Sequence, residues 1–234
     1  MNKIDSVNNP KLKAWAKLKQ KKYRTNFFLC DQNLCDYAYK YHYLDTLIYK
    51  NEMPFPFENS YQLSEKAMAK LSDEDYIGIV KTIENKEINS KRVIILEDLQ
   101  DPKNVGTLIK CAQIYGYDVA MSENCCDLYN EKCLSAAQDS LFTVNIYQGD
   151  IKETILNLKE KNYQIIATGL WKDTLALSNI KQSDKMAFIL GNEGSGVKSE
   201  TKNISDQSVK IEMSNIDSLN VAVAGNIIMY KFSM

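Results

Sequence analysis

The sequence predicts an α/β protein in which a small α/β domain precedes a larger one with a mostly parallel sheet. Two observations carry this prediction. Strand-like and helix-like segments alternate regularly in the second half of the chain, as parallel sheets require. The polar stretch 86–91 separates that half from a first half with a less regular pattern, and we interpret it as a linker. We therefore expect two domains, residues 1–85 and residues 90–234.

In the first half, Pro10 is placed to be the first residue of a helix, on which Leu12, Trp15 and Leu18 form a thin apolar stripe. Short apolar runs and capping residues predict the remaining elements of this half. They are strands at 27–30, 46–49, 61–63 and 76–83, a helix at 33–43 that includes His42, and a helix capped by Ser64 that reaches residue 71.

In the second half, the same patterns predict a longer series of elements. The expected strands lie at 92–97, 118–122, 142–147, 163–168, 186–191 and 208–213. The expected helices lie near 104–115, 129–138, 150–161, 197–202 and 218–232.

Composition limits the class of protein. The chain has 234 residues, of which 44% are hydrophobic and 25% charged, which is ordinary for a globular protein. No apolar run is long enough to span a bilayer, and the first ten residues lack the apolar core of a signal peptide. We expect a cytoplasmic protein with no membrane partner.

Several catalytic chemistries are excluded by the cysteines and the histidine. None of the 6 cysteines forms a C-x-x-C pair, which removes the usual zinc and thioredoxin spacings. The single histidine, His42, rules out His-based triads and the HExxH metal site. We expect no metal.

Positive charge is concentrated at the N-terminus although the net charge is −1. The first 25 residues contain eight basic residues and one acidic residue, Asp5. A local basic stripe can contact phosphates even when the whole chain is neutral. A solvated helix face explains the same pattern equally well, and both interpretations remain open.

The first segment with chemical content follows the apolar run Val93–Leu96. A turn at Asp101-Pro102 leads into a helix expected to begin at Asn104, with Lys110 six residues later. The Asn104 amide offers both a donor and an acceptor. Taken alone, this segment is better explained as an N-capped helix with a solvated lysine.

The second segment, Gly191–Gly196, follows the apolar run Met186–Leu190 and has the spacing G-x-x-G-x-G. It matches neither the dinucleotide-binding fingerprint nor the P-loop. Glycines at these positions let the backbone approach a flat ligand closely. A Gly-rich turn at the end of a buried strand is a typical part of a ligand site in an α/β protein.

The third segment, Ser218-Leu219-Asn220, follows the predicted strand that ends at Met213, and Ser218 is the expected N-cap of the last helix. A fourth, weaker element is the strand that ends at Thr168-Gly169.

In this order and spacing, the segments resemble the motifs of the SpoU/TrmH family of RNA 2′-O-ribose methyltransferases, which belongs to the SPOUT superfamily. Four positions depart from the family pattern. Lys110 stands where the family has arginine, Glu212 where it has proline, Asp217 where it has glutamate and Ala222 where it has serine.

The resemblance implies a fold and a reaction. Residues 90–234 would form a SPOUT domain with a deep C-terminal trefoil knot through which the chain forms a homodimer. Residues 1–85 would form an L30e-like RNA-binding accessory domain. The reaction would be methyl transfer from S-adenosylmethionine to a ribose 2′-hydroxyl of structured RNA, with ribosomal RNA a better candidate than transfer RNA.

The resemblance also implies roles for individual residues. The residues expected to handle the acceptor and its proton are Asn104, Lys110, Glu193, Ser218 and Asn220. The residues expected to bind the cofactor are Thr168, Gly169, Leu190, Gly191, Ile211, Met213 and Leu219.

A non-catalytic RNA-binding or ribosome-assembly protein on the same fold is the alternative function. Lys110 and Ala222 favour it, because they replace residues that the family uses, and so does Asp31-Gln32, which stands where the family has Glu-Gly. The intact Gly191–Gly196 segment and Ser218-Leu219-Asn220 argue against it, because a protein without a cofactor has no evident use for both.

Overall fold

The structure, a computed structural model, describes residues 2–214 and 218–233. The chain forms two compact units, Met1–Glu84 and Asn85–Met234. Each unit contains its own sheet.

The first unit is built on a five-stranded sheet. Its strands are β1 (Asn2–Ile4), β2 (Phe27–Cys30), β3 (Leu44–Tyr49), β4 (Ser60–Leu63) and β5 (Tyr76–Lys81). They lie in the order β1-β4-β3-β5-β2, and β5 runs antiparallel to both of its neighbours. The four strands predicted for this half are present, whereas β1 was not predicted from the sequence.

The α-helices in the described part of this unit are α1 (Pro10–Lys17), α2 (Gln32–Lys40) and α3 (Glu65–Met68). Pro10 occupies the first turn of α1, and the Asn9 side chain caps the helix by accepting from the Lys11 N–H. Leu12 is buried, with Trp15 and Leu18 packed against the same apolar cluster, as the stripe predicted. The prediction that α2 continues past His42 is wrong, because His42 adopts a positive φ of 64° and cannot continue a right-handed helix.

The second unit is built on a seven-stranded sheet, and its mostly parallel character is confirmed. Its strands are β6 (Arg92–Leu96), β7 (Asp118–Ser122), β8 (Ile146–Gly149), β9 (Gln164–Thr168), β10 (Leu175–Ala176), β11 (Met186–Leu190) and β12 (Gln207–Lys210). They lie in the order β10-β12-β9-β11-β6-β7-β8, and every neighbouring pair is parallel. The carboxyl ends of the strands therefore meet at one edge of the sheet.

The helices of this unit are α4 (Pro102–Tyr115), α5 (Glu131–Ala137), α6 (Ser140–Thr143), α7 (Ile151–Glu160), α8 (Ser199–Asn203) and α9 (Val221–Phe232). In the described part of the chain, no helix combines the length and the apolar character needed to cross a membrane.

Two predicted strands of this unit have the wrong bounds. The strand predicted at 142–147 begins only at Ile146, because the preceding residues form α6, in which Leu141 and Phe142 are buried. A short apolar run has no period long enough to distinguish a helical turn from a strand. The strand predicted at 208–213 ends at Lys210, so that Ile211 and Met213 lie beyond it.

The stretch interpreted as a linker is bound to the second unit. The buried carboxylate of Asp118 accepts hydrogen bonds from the backbone N–H groups of Asn89 (2.6 Å) and Ser90 (2.8 Å). The Asn85 side chain pairs with the backbone of Gln148, donating to its carbonyl and accepting from its N–H. Residues 85–90 are therefore part of this unit, so the interpretation of 86–91 as a free linker is wrong.

The core of the second unit lies on both faces of its central strands. Every residue of β6 and β11 is buried, as expected for parallel strands covered on both sides. On one face, Val93 and Ile189 belong to an apolar cluster with residues of α7. On the other face, Phe188 stacks on Phe232 of α9, with ring centroids 5.0 Å apart.

Arg92 holds the end of α9 against the start of the sheet. This side chain is only 3% exposed, and it donates to the carbonyl oxygens of Phe232 (2.9 Å) and Asp184 (2.6 Å). The carbonyl groups at the end of a helix have no partner within the helix, so a buried donor there stabilises it. Arg92 therefore sets the position of α9 from its C-terminal end.

We predict that Arg92→Lys lowers the free energy of unfolding by about 1–3 kcal/mol, because an ammonium group cannot reproduce the planar guanidinium contacts to both carbonyl groups. Denaturant unfolding measures the loss. The control is Lys91→Ala, which removes an exposed ion pair with Asp184 (2.6 Å) that is worth under about 1 kcal/mol. Equal losses in the two variants would contradict the role given to Arg92.

Candidate functional site

A cavity of about 430 Å³ lies in the second unit, where the polypeptide leaves β9, β11 and β12 and enters α9. Its lining is partly apolar, with Leu190, Ile211 and Ile228 among the lining residues. Backbone groups at the strand ends and several polar side chains complete it. This combination is typical of a small-molecule site in an α/β protein.

The residues predicted to bind a cofactor lie around this one cavity. All seven line it: Thr168, Gly169, Leu190, Gly191, Ile211, Met213 and Leu219. They come from three segments that are far apart in the sequence, and the parallel sheet brings these segments together. Their role as cofactor ligands remains a prediction.

The Gly191–Gly196 loop folds back tightly on itself at the edge of this cavity. A Cβ atom on Gly191 would lie 2.1 Å from the backbone carbon of Gly196, so no larger residue fits at this position. Gly196 has a positive φ of 70°, a conformation that glycine adopts without strain. The Asn192 side chain accepts hydrogen bonds from the N–H groups of Gly194 and Ser195, which fixes the turn.

Glu193, Asn104 and Asn220 form a continuous hydrogen-bond network beside the cavity. The Asn104 Nδ2 atom donates to Glu193 Oε1 (3.2 Å), and the Asn220 Nδ2 atom donates to Asn104 Oδ1 (3.0 Å). The network therefore joins one residue from each of the three predicted segments. Glu193 and Asn220 line the cavity, whereas Asn104 lies behind them and is only 8% exposed.

The Glu193 carboxylate also holds the loop that precedes α4. Glu193 accepts hydrogen bonds from the backbone N–H groups of Gln100 and Asp101, both at 3.1 Å. Partial burial would raise the pKa of Glu193, but the hydrogen bonds from Gln100, Asp101 and Asn104 outweigh this effect and hold the pKa below its usual range. Glu193 is therefore a carboxylate at neutral pH and a weak base.

The start of α4 differs from the prediction. The helix begins at Pro102 and is capped by the Asp101 side chain, so that Asn104 is its third residue rather than its first. Proline favours the first turn of a helix, and aspartate is a strong N-cap. Because Asp101 caps the helix, the Asn104 side chain is left to bond Glu193 and Asn220.

The N-cap of the last helix also differs from the prediction. Asn220, not Ser218, caps α9, and its Oδ1 atom accepts from the N–H groups of Ala222 (2.9 Å) and Val223 (3.3 Å). Ser218 lies before the helix, where it is exposed and lines the cavity. Asp217 lies outside the described residues.

Two of the predicted acceptor residues are not joined to this network by the described contacts: Ser218, which lines the cavity, and Lys110, which does not. Lys110 lies two turns further along α4, and its Nζ atom donates to the side chain of Gln138. Gln138 follows α5 and has a positive φ of 53°, which is unusual for a residue other than glycine.

Sequence reasoning gave no role to two residues of this region. Asn192 was overlooked within the glycine loop, although an asparagine before a turn commonly bonds the backbone two residues on. Glu212 was noted only as a replacement for proline, and its contacts with residues 177 and 178 depend on chain separation that no local pattern reveals. Among the described residues, no group of three or more His, Cys, Asp or Glu side chains is placed to hold a metal ion.

Comparisons with known proteins identify the family. The family model described as "SpoU rRNA Methylase family" matches residues 91–230. The chain is 30% identical to the 23S rRNA (guanosine(2553)-2′-O)-methyltransferase RlmP of Bacillus subtilis, and the match covers 98% of each protein. It is 31% identical to a tRNA (guanosine(18)-2′-O)-methyltransferase of Borreliella burgdorferi over 60% of this chain and 65% of that protein.

Solved structures show the same fold. An rRNA methyltransferase from Sinorhizobium meliloti matches with a TM-score of 0.86 at 22% identity, over 98% of this chain and 96% of that one. AviRb, a SpoU methyltransferase from Streptomyces viridochromogenes in complex with AdoMet, matches with a TM-score of 0.84 at 16% identity, over 97% of each chain. The chain belongs to the SpoU rRNA methylase family, which confirms the resemblance seen in the motifs.

We predict that Glu193→Gln lowers the free energy of unfolding by up to about 1 kcal/mol at neutral pH. A carboxyl group whose pKa is lower in the folded state stabilises the fold above its unfolded pKa of about 4.3, and this stabilisation is lost as the pH falls through the folded pKa. The two proteins should therefore become equally stable in acid.

Denaturant unfolding at neutral and at acidic pH checks this prediction. The control is Glu160→Gln, at an exposed position near the end of α7. A deficit for Glu193→Gln that is the same at both pH values would show that the carboxylate charge is not the cause.

Proposed function

We propose that this protein transfers a methyl group from S-adenosylmethionine to a ribose 2′-hydroxyl of structured RNA, and that its substrate is ribosomal RNA. The observation that carries the proposal is the assembly of the second and third segments around one cavity, to which the first segment is joined by the Glu193–Asn104–Asn220 network. The 23S rRNA 2′-O-methyltransferase relative, which matches along the whole chain, supports the choice of ribosomal RNA.

The cavity suits S-adenosylmethionine. Its volume of about 430 Å³ lies within the usual range for pockets that bind small molecules and cofactors. Apolar side chains such as Leu190 and Leu219 suit the flat adenine ring of the cofactor. The closely folded backbone at Gly191 offers N–H and C=O groups to the polar edge of that ring. Bound there, the cofactor supplies a methyl group already activated by its sulfonium, so the residues of the chain need mainly to position the acceptor and help its proton leave.

Glu193 acts in this scheme by holding Asn104 rather than by taking the proton. Its low pKa makes it a poor base, and its oxygens already accept from three donors. The direction of the network is fixed, because Asn220 Oδ1 accepts from the helix N–H groups and its Nδ2 atom must therefore donate to Asn104. Asn220 and Ser218, which line the cavity, are then the polar side chains available to orient the ribose.

Lys110 supplies positive charge for the phosphate next to the acceptor. A lysine lacks the two-pronged contact of arginine, but it still attracts an anion. Its hydrogen bond to Gln138 holds the ammonium group near the start of the segment that follows α5. Binding of RNA would then exchange the Gln138 contact for a phosphate contact.

The first unit provides RNA affinity as an L30e-like accessory domain. Helix α1 presents exposed lysines, among them Lys11, Lys13 and Lys17, around a single buried apolar stripe. Such a face contacts phosphates without reading sequence, which is the task of an accessory domain on structured RNA. Because ribosomal RNA is the substrate, we place the protein in the cytoplasm.

The protein acts as a homodimer through the second unit. Helix α9 is apolar on nearly all sides, yet Val223 (47%) and Tyr230 (70%) are exposed, as is Ile114 (64%) on the adjacent helix α4. A helix that is apolar all round is normally buried on more than one face. A second copy of the chain would cover this surface, close to the site because α9 begins at Asn220.

We predict that the purified protein binds S-adenosylmethionine at one site per chain with micromolar affinity, measured by calorimetry. Gly191→Ala should abolish binding, because the new Cβ atom would overlap the backbone of Gly196. Gly194→Ala is the matched control, because its Cβ atom would make only an ordinary contact of 3.5 Å with Asn192.

Circular dichroism tests whether both glycine variants are folded. Failure of the folded wild-type protein to bind the cofactor at high concentration would favour the non-catalytic RNA-binding alternative.

We predict that Asn220→Ala abolishes methyl transfer to ribosomal RNA, because it removes the amide that joins Asn104 to the cavity. Asn220→Ser separates this effect from helix capping, since serine is also a strong N-cap but cannot donate to Asn104 in the same way. We expect both variants to lose at least about a hundredfold in rate, in line with the loss of a positioning group. Activity retained by Asn220→Ser would mean that only the cap is required.

A further inference from the structure

The Glu212 side chain makes hydrogen bonds that the proposed reaction does not use. The residue lies between Ile211 and Met213, which both line the cavity. Its own side chain reaches residues more than thirty positions earlier in the chain. The Oε2 atom accepts from the backbone N–H of Leu177 (3.1 Å), and Oε1 accepts from the backbone N–H of Ser178 (3.2 Å) and from the Ser178 hydroxyl.

These contacts continue the edge of the sheet after its backbone pairing stops. Strands β10 and β12 pair only at Leu175 with Val209 and at Ala176 with Lys210. The next residue, Leu177, begins a short 3₁₀ helix, Leu177–Asn179, whose first N–H groups have no partner within it. The Glu212 carboxylate accepts from two of these groups, so that a side chain replaces the strand carbonyls that would otherwise continue the pairing.

The segment that Glu212 holds is connected to another wall of the same cavity. It begins with Gly169 and Leu170, which line the cavity. Trp171 packs closely on Gly169, and a Cβ atom on Gly169 would lie 2.5 Å from the Trp171 ring. At its other end, Leu177 and Ile180 are about 95% buried. Glu212 therefore joins two stretches of backbone, 169–180 and 211–213, that both contribute to the cavity.

Glu212 stands at a position where stiffness of the backbone affects its two neighbours, Ile211 and Met213. In the family pattern described above, a proline stands here, and a proline stiffens its own backbone by fixing φ. Glu212 lacks that restraint, but it ties the same backbone to a neighbouring segment from outside. Both arrangements hold Ile211 and Met213 in place.

We propose that Glu212 is a positioning residue that fixes the wall of the cofactor cavity by clamping residues 211–213 to residues 177–178. The proposal rests on the proposed function, since it names the device that shapes the proposed cofactor site. Glu212 touches neither cofactor nor acceptor in this role. Its removal loosens the wall and weakens cofactor binding, while the rate at saturating cofactor stays near that of the wild type.

The test is a double-mutant cycle on the dissociation constant for S-adenosylmethionine, measured by calorimetry on the full chain. We expect Glu212→Ala to weaken binding about tenfold and Ser178→Ala about twofold to threefold, because hydrogen bonds to a charged group are worth more than the hydroxyl contact alone. The double variant should bind no worse than Glu212→Ala, since the Ser178 hydroxyl acts only through Glu212.

Two further variants sharpen the test. Glu212→Pro should bind within about twofold of the wild type, because the ring supplies the stiffness by another route. Glu160→Ala, which removes an exposed carboxylate on α7, is the charge-matched control and should bind like the wild type. Melting curves without cofactor show which variants are folded. If Glu212→Ala does not fold, Ser178→Ala alone tests the clamp, and wild-type affinity in Ser178→Ala would overturn it.

The outcomes separate this proposal from the proposed function. Wild-type affinity in folded Glu212→Ala, or additive losses in the double variant, would overturn the clamp. A fall in the rate at saturating cofactor with an unchanged dissociation constant would also overturn it, because Glu212 would then act on the acceptor. If the wild-type protein itself binds no S-adenosylmethionine, the proposed function fails, whatever the variants do.

Discussion

The Asn104 side chain is the contact on which the geometry of the site depends. It accepts from Asn220, which caps the last helix, and it donates to Glu193, which lies within the Gly191–Gly196 loop and holds the segment before α4. An amide suits this place because it has a donor at one end and an acceptor at the other. A carboxylate would have no hydrogen to donate to Glu193, so the two partners favour an amide at this position.

The parallel sheet makes that contact possible. Strand β11 lies between β6 and β9, and the segments that follow β6 and β11 start at the same edge of the sheet. Helix α9 then runs from that edge along one face of the sheet, with the Asn220 cap at its beginning and Arg92, at the start of β6, holding its end. Asn104 is thereby brought within hydrogen-bond distance of Glu193, 89 residues later in the chain, and of Asn220, 116 residues later.

Much of this site could be predicted from the sequence, because each of its key segments is recognisable from a few consecutive residues. A glycine loop after a buried strand has a physical meaning that does not depend on the rest of the chain, and the cavity does lie there. The choice of cap for α9 could not be predicted, since Ser218 and Asn220 are both good N-caps. The structure favours Asn220 because its amide also bonds Asn104, a residue 116 positions earlier. No local propensity contains that information.

Two of the departures from the family pattern, Glu212 and Lys110, lie where a neighbouring segment offers a partner to the new side chain. Glycine at 191 and the amides of Asn104 and Asn220 face constraints that no neighbour can relieve, because the backbone or two fixed partners leave room for little else. At position 212, stiffness is the only requirement, and the N–H groups of Leu177 and Ser178 lie close enough for a carboxylate to provide it. At position 110, Gln138 offers a lysine a single acceptor in place of the two-pronged partner that an arginine would need. The new side chains therefore keep one property of the residues they replace, rigidity at position 212 and charge at position 110, whereas at position 191 no residue with a Cβ atom would fit.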